Sequence, residues 1–394
     1  MHSSRMPTDD RVAWCATHPQ VMGTDMRRSL LCCALLVLPA IAPAQRAGAG
    51  SIVIGTTDSI WSPTLKEYRK FEVYTPPSYR DTTHLPQKYP VLYLLDGDAH
   101  FHSVTGLIQI LGTGVNGTFV VPEMIVVAIP NTDRSRDLTP THVEKGPDGK
   151  PAPGFKTTGG MPNFFTFIKS ELIPHIESSY RAAPYRMFVG HSLGGIAAID
   201  ALYTMPETFN AYVAIDPSLW WDNRVLLNRA KNFFSKPGLA GKTLFVGQAN
   251  TLSAADTADN IHYNSIIRFN RILEEYNKSG LRYGYKYYPD DDHGSVPLIA
   301  EYDALRFIFA PYKLNLARAL ESPSYVKEHF AALSASLGYN MEPPESMVDL
   351  LAHVELGQDT TKAIELFQLN ADLYPGSPQG YKATIAKLRA RKEK

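Results

Sequence analysis

An α/β fold, a mostly parallel sheet with helices on both faces followed by a small helical extension, is what this sequence predicts. Three observations carry that expectation. Short apolar, β-rich runs alternate with helical patterns as far as about Pro311. Several of those runs are apolar at every position, as strands covered on both faces must be. Finally, the segment MFVGHSLGGIAAI, Met187 to Ile199, reads as a strand, a tight turn and a helix of small residues in direct succession.

From the N-terminus, Met26 opens MRRSLLCCALLVLPAIAPAQ, with Arg27 and Arg28 ahead of an apolar run to Leu38 and small residues at Ala42 and Ala44. That pattern predicts a secretory signal peptide within a leader of residues 1–44, translated from Met26 and cut after Ala44. The apolar run is shorter than the roughly 20 residues that span a bilayer, so an exported protein, periplasmic or secreted, without a stable membrane anchor is expected. All three cysteines, Cys15, Cys32 and Cys33, fall in this leader, which leaves no thiol chemistry downstream.

Residues 45–313 are read as the α/β domain. Its strands are expected at Phe71–Tyr74, Val91–Leu95, Ile125–Ile129, Met187–Val189, Tyr212–Ile215, Thr243–Val246 and Tyr283–Tyr288. Helices are expected from Asn163, through Phe164, Phe167, Ile168, Leu172 and Ile176, and over Ile261–Tyr276. The Gly-, Pro- and Lys-rich stretch Lys145–Pro162 reads as a long surface loop. Residues 314–394 read as helix without strands, and Ala363, Phe367 and Ala371 with Pro375 fit one tetratricopeptide-type pair. A single such unit needs another surface, either the core or a second chain, and a plain helical tail is the competing reading.

The chain carries 39 basic and 39 acidic residues in 394, with 44% hydrophobic and 11% aromatic residues, which argues for a large core and against disorder. A formal charge of zero argues against nucleic acid or an anionic membrane as partner, and favours a small molecule.

The chemistry lies in Gly190-His191-Ser192-Leu193-Gly194, a G-x-S-x-G elbow between strand and helix. Such a turn thrusts Ser192 Oγ out of the sheet and aims the Leu193 N–H at a developing oxyanion. His293, in a loop after the last expected strand, is the candidate base; His191 sits inside the elbow and cannot swing onto Ser192. The acid is expected after Thr243–Val246, with Asp256 preferred over Asp259 and with Asp291 as a further alternative. The turn Asp96-Gly97-Asp98 offers the Asp98 N–H as second oxyanion donor. If that segment is extended, Asp96, Asp98, His100 and His102 would share a face as a metal cluster; the preferred reading makes the carboxylates orient the loop and expects no metal. Arg134 and Arg136 are candidate carboxylate binders, against an internal Arg–Asp pairing, and Trp220 with Trp221 a candidate cleft wall, against core packing.

YLLDGDAHF, NTDRSRDLTPTH, GHSLGG, DPSLWW and D-H-G-S together resemble the putative-esterase group of α/β-hydrolases, the ferric-siderophore esterases with esterase D-like enzymes as relatives, over roughly Ser51–Pro311. The resemblance implies an α/β-hydrolase fold, Ser192 as nucleophile, His293 as base and the Asp98 and Leu193 N–H groups as oxyanion hole. The chain departs from the family at the acid: siderophore esterases usually carry a glutamate within a few residues of the glycine after the strand Thr243–Val246, where this chain reads Gly247-Gln248-Ala249-Asn250. The expected activity is cofactor-free hydrolysis of small-molecule carboxylic esters, siderophore-type or other, through an acyl-enzyme. Acyl transfer by the same residues, and a non-catalytic binding protein using its C-terminal helices for protein contact, are the alternatives.

Overall fold

The computed structural model describes residues 51–114, 119–146, 149–252 and 260–393, so the leader expected over residues 1–44 and the acids Asp256 and Asp259 lie outside it. The chain opens with the antiparallel pair β1 (Thr56–Ser62) and β2 (Glu67–Tyr74). There follow β3 (Tyr89–Leu95), α1 (Gly97–Gly112), β4 (Ile125–Ile129) and one turn of helix, α2 (Arg134–Asp137). Helices α3 (Met161–Phe167) and α4 (Ile173–Ser179), joined by a π-helical turn at Ile168–Leu172, lead into β5 (Ala182–His191). Strand and helix then alternate through α5 (Leu193–Thr204), β6 (Ala211–Ile215), α6 (Trp221–Phe234) and β7 (Thr243–Ala249). The alternation finishes with α7 (Ile261–Tyr276), β8 (Arg282–Tyr288) and α8 (Val296–Ile308). Five more helices follow: α9 (Leu316–Glu321), α10 (Ser324–Leu337), α11 (Glu345–Leu356), α12 (Thr360–Leu373) and α13 (Tyr381–Lys392).

The eight strands form one sheet in the order β1-β2-β4-β3-β5-β6-β7-β8, antiparallel only where β1 and β2 join it. This is the α/β-hydrolase fold. Alternate side chains of each central strand feed two cores, because successive residues point to opposite faces. On β3, Val91, Tyr93 and Leu95 pack with α3, α5 and α6, while Leu92 and Leu94 pack with α1 and α8.

The sequence had no apolar run to announce β1, TTDSIWS, and its residues are mostly exposed at the sheet edge. Its partner β2 supplies most of the buried apolar side chains of the pair, and β1 adds Ile60 at the edge of the core and Trp61 against Tyr68. The helix expected from Asn163 begins two residues earlier at Met161, with Pro162 in its first turn where a missing N–H costs nothing. Lys145–Pro162 contains a bridge between Lys145 and Pro151 and a 3-10 turn at Pro153–Phe155. It is held down by Phe155, whose ring meets Trp221 edge-on at 4.9 Å.

On α12, Ala363, Phe367 and Ala371 are buried, and their cluster continues into the core beneath α1 and α8. Glu345 of α11 ties the last helices together: Asn370 donates to its carbonyl at 3.1 Å and the Tyr381 hydroxyl to its carboxylate at 3.0 Å.

Candidate active site

Everything at the site lies at the C-terminal ends of the parallel strands, where ligands of open α/β sheets bind. At the end of β5 the backbone of Ser192 turns through φ 61° and ψ −113°, and α5 starts at the next residue. A non-glycine residue stays in that region only if its surroundings over-determine it. Here the Ser192 N–H donates to Ile215 O at 2.9 Å and its carbonyl accepts from the Ser218 N–H at 3.1 Å. Side chains are excluded on either side: a Cβ on Gly190 would lie 2.2 Å from Gly194 O, and one on Gly195 2.9 Å from Pro217 Cα. Leu193 is the first residue of α5, so its N–H has no partner within the helix.

The turn that follows β6 repeats the device one strand over. Asp216 has φ 40°, its N–H donates to Gly247 O at 2.7 Å, and it is fully buried. Its carboxylate accepts from the Ala249 N–H at 3.0 Å on Oδ1 and, on Oδ2, from His293 Nδ1 at 2.5 Å and His262 Nε2 at 2.9 Å. Burial pushes this carboxyl upward, but the hydrogen bonds from His262 and His293, the charge of His262 and the Ala249 N–H outweigh it and hold it well below the usual carboxylate range.

His293 lies between β8 and α8, as expected of the base, and with Nδ1 committed to Asp216 its Nε2 is the nitrogen free to accept a proton. Its ring sits 4.5 Å from that of His191, the residue before the nucleophile. The hydrogen bond that Ser192 Oγ makes among the described residues is to Ser218 Oγ, at 3.2 Å. Catalytic contacts of this kind often tighten only when substrate binds.

The carboxylate on His293 is therefore Asp216, one strand earlier than the loop expected to supply it. Asp256 and Asp259 lie outside the described residues. Asp291 is engaged elsewhere, accepting from Ser295 Oγ at 2.9 Å. Asp216 stood in DPSLWW, where an acid and a proline directly after an all-apolar strand mark a turn at the sheet's working edge; Ser218 and His262 carried no comparable signal.

The β3–α1 turn faces the elbow. Asp96 is left-handed at φ 53° and its carboxylate accepts from Arg134 Nε at 2.6 Å, Arg134 Nη2 at 3.0 Å and Asn131 Nδ2 at 2.7 Å. Burial opposes its charge, yet the Arg134 and Asn131 bonds hold the carboxyl below the ordinary range. Arg134 also donates to His191 O at 3.1 Å, so it fastens this turn to the end of β5. Asp98 is the second residue of α1 and its N–H, like that of Leu193, belongs to a first helical turn.

Because Gly97–Gly112 is helical, Asp96, Asp98, His100 and His102 do not share a face as they would in an extended segment. Asp96 is bound to Arg134, and His100 Nδ1 lies 3.6 Å from Glu301 of α8. The metal-capable group among the described residues is instead Asp216, His262 and His293, whose ligand atoms lie within 4.8 Å of one another. Hydrogen bonding accounts for that group.

Two more titratable side chains line the back of the site. Burial, then repulsion from His293 and His100, pushes His191 down to about 4, so it is neutral at working pH. Burial pushes Glu301 up to about 8, and Ser103 Oγ at 3.4 Å offsets little of that.

Of the candidate binding residues, Arg136 is fully employed: its guanidinium donates to Glu67 at 2.5 and 3.1 Å and to Asp137 at 2.7 Å. Trp221 is buried and donates to Thr141 Oγ1 at 3.1 Å, while Trp220 is partly exposed beside it. Two cavities, of about 560 and 590 Å³, lie elsewhere; neither is lined by Ser192, Asp216 or His293.

The chain is similar in sequence and in fold to known esterases. Residues 62–261 match the family model described as "Putative esterase". The chain is 32% identical over 238 residues to the ferri-bacillibactin esterase BesA of Bacillus subtilis, covering 57% of this chain and 81% of that protein. It is 37% identical over 166 residues to a siderophore enterobactin esterase of Emericella nidulans, covering 38% of this chain and 52% of that one. Among solved structures, an IroE-like serine hydrolase from Shewanella oneidensis superposes with a TM-score of 0.74 at 32% identity, covering 81% of this chain and 99% of the other. With its strand order, its elbow and these likenesses, the chain belongs to the esterase family of α/β-hydrolases and is an ester-hydrolysing enzyme.

Proposed function

We propose that the chain hydrolyses small-molecule carboxylic esters through a Ser192–His293–Asp216 triad and an acyl-enzyme. The observation that carries this reading is the 2.5 Å hydrogen bond from His293 Nδ1 to a fully buried Asp216 on the turn beside the serine elbow. His293 Nε2 takes the Ser192 proton as Oγ attacks the ester carbonyl, and Asp216 stabilises the imidazolium that forms. The first-turn N–H groups of Leu193 and Asp98 face the developing oxyanion. Protonation of the alkoxide by His293 releases the alcohol; a water activated by the same imidazole then frees the acid.

The substrate class is siderophore-type esters, the class named for the two curated relatives above. The neutral balance of the chain, and the engagement of Arg134 and Arg136 by Asp96, Glu67 and Asp137, favour a less anionic ester over a ferric tris-catecholate. The protein acts after export, with its mature N-terminus at Gln45.

The test is fluorophosphonate labelling and p-nitrophenyl acetate turnover by the native enzyme and by Ser192→Ala, followed by iron-free and ferric catecholate trilactones. Labelling and turnover lost only in the variant support the triad; labelling retained by Ser192→Ala overturns it. N-terminal sequencing of the protein from the exported fraction tests the cleavage site.

A further inference from the structure

We infer that His262 is a positioning residue of the esterase reaction, a second imidazole that shares the Asp216 carboxylate with His293 and sets the orientation and charge balance of the base. The inference rests on the triad reading above and deepens it.

Asp216 Oδ2 receives two imidazole nitrogens, His293 Nδ1 at 2.5 Å and His262 Nε2 at 2.9 Å. A carboxylate only accepts, so His262 must carry its proton on Nε2. The two rings lie 5.3 Å apart and nearly perpendicular, at 89°, which lets both reach one oxygen without stacking.

The site of His262 is built on both sides. It is the second residue of α7, whose first turn is capped by the Asn260 side chain accepting from the Tyr263 N–H at 2.9 Å. Gln248 at the end of β7 donates to Tyr263 O at 3.2 Å, so the start of the helix is fastened to the strand beside Asp216. Arg224 of α6 donates to Ser265 Oγ at 3.0 Å one turn on.

The consequence is electrostatic. By donating to Oδ2, His262 draws charge from the oxygen that His293 depends on, and so limits how strongly Asp216 favours protonation of the base. The other groups facing them are His191 from β5, itself neighboured by His100 and Asp96, Tyr285 from β8, which feels Asp216, and Asp292 in the His293 loop. His191, held down to about 4, adds no charge at working pH.

The experiment compares pH profiles of kcat and kcat/KM for the native enzyme, His262→Leu and His262→Gln, with Asp216→Asn alongside. His262→Leu should lower kcat about tenfold with KM little changed, and move the acidic limb of kcat/KM upward by about half a pH unit or more. His262→Gln, whose amide N–H can reach Oδ2, should restore kcat to within about threefold and return the limb toward its native position. If His262→Leu fails to fold, His262→Asn, polar but too short to reach the carboxylate, takes its place. A native profile in the Leu or Asn variant, or Gln as impaired as they are, overturns the role of His262. If Asp216→Asn is inactive while those variants behave as native, His262 alone is misassigned; an active Asp216→Asn removes the triad reading itself.

Discussion

The turns after β5 and β6 solve the same backbone problem with different amounts of sequence. Each ends a buried parallel strand on a non-glycine residue at positive φ, Ser192 at 61° and Asp216 at 40°. Each is pinned by an N–H reaching the neighbouring strand end, Ile215 O for the first and Gly247 O for the second. The serine turn runs straight into α5, so Gly190 and Gly195 must clear the helix and the Pro217 backbone. The aspartate turn leads into Pro217 and Ser218 and has no helix to clear, so it needs only a short polar residue that tolerates the left-handed region. A motif records the glycines that steric crowding demands, and those fall in the first turn. The second leaves only the weaker mark of Asp216-Pro217 directly after an apolar strand.

The sharpest way to break this pairing is to remove each functional group in turn. Ser192→Ala should lower kcat on the order of 10⁶-fold, since the residual rate comes from binding and the oxyanion donors alone; burst and steady-state turnover with an activated ester measure it. Asp216→Asn should cost on the order of 10⁴-fold in kcat with KM little altered, because an amide cannot hold His293 in the productive tautomer. A loss under tenfold would mean that the two turns are not functional partners.

Two buried carboxyls set the pH signature of the comparison. Asp216 titrates below its ordinary 3.8, so its ionised form stabilises the fold above that pH and the contribution is lost as the pH falls through its lowered value. Glu301 titrates at about 8 against an ordinary 4.5, so its contribution is fully present below 4.5 and is lost as the pH rises through 8. In thermal melts from pH 3 to pH 9, Glu301→Gln should gain stability over the native protein as the pH rises, on the order of a few kcal/mol at the top of the range. Asp216→Asn should fall furthest behind the native protein above about pH 5, and the gap should begin to narrow only below 3.8. Parallel slopes for the two variants would contradict the opposite environments described for them.

The smallest expected effect belongs to the loop after β7. Asp256→Asn and Asp259→Asn should each change kcat/KM by less than about twofold, because His293 already holds a carboxylate. A loss of a hundredfold or more in either would return the acid to that loop.

Legibility followed burial. The strands β2 to β8 were readable because their side chains are apolar on faces that helices cover; β1 escaped because an exposed edge strand is specified by backbone pairing. The rival metal reading of Asp96 to His102 needed an extended segment; instead Gly97 and the left-handed Asp96 start a helix at once, which disperses the four side chains. Ser192 and His293 stood out through a crowded turn and a place in chain order. His262 and Ser218 did not, since a histidine in a helix and a serine after a proline are ordinary in sequence.

The amino-acid order alone determined the layered α/β sheet, the strained serine and the late histidine, because each rests on periodicity or steric constraint within a few consecutive residues. Which carboxylate meets that histidine, and that a second imidazole shares it, was decided only when β6, α7 and the β8–α8 loop converged. Hydrogen bonds act over about 3 Å in space, and no spacing along the chain encodes that distance for residues 46 and 77 positions apart.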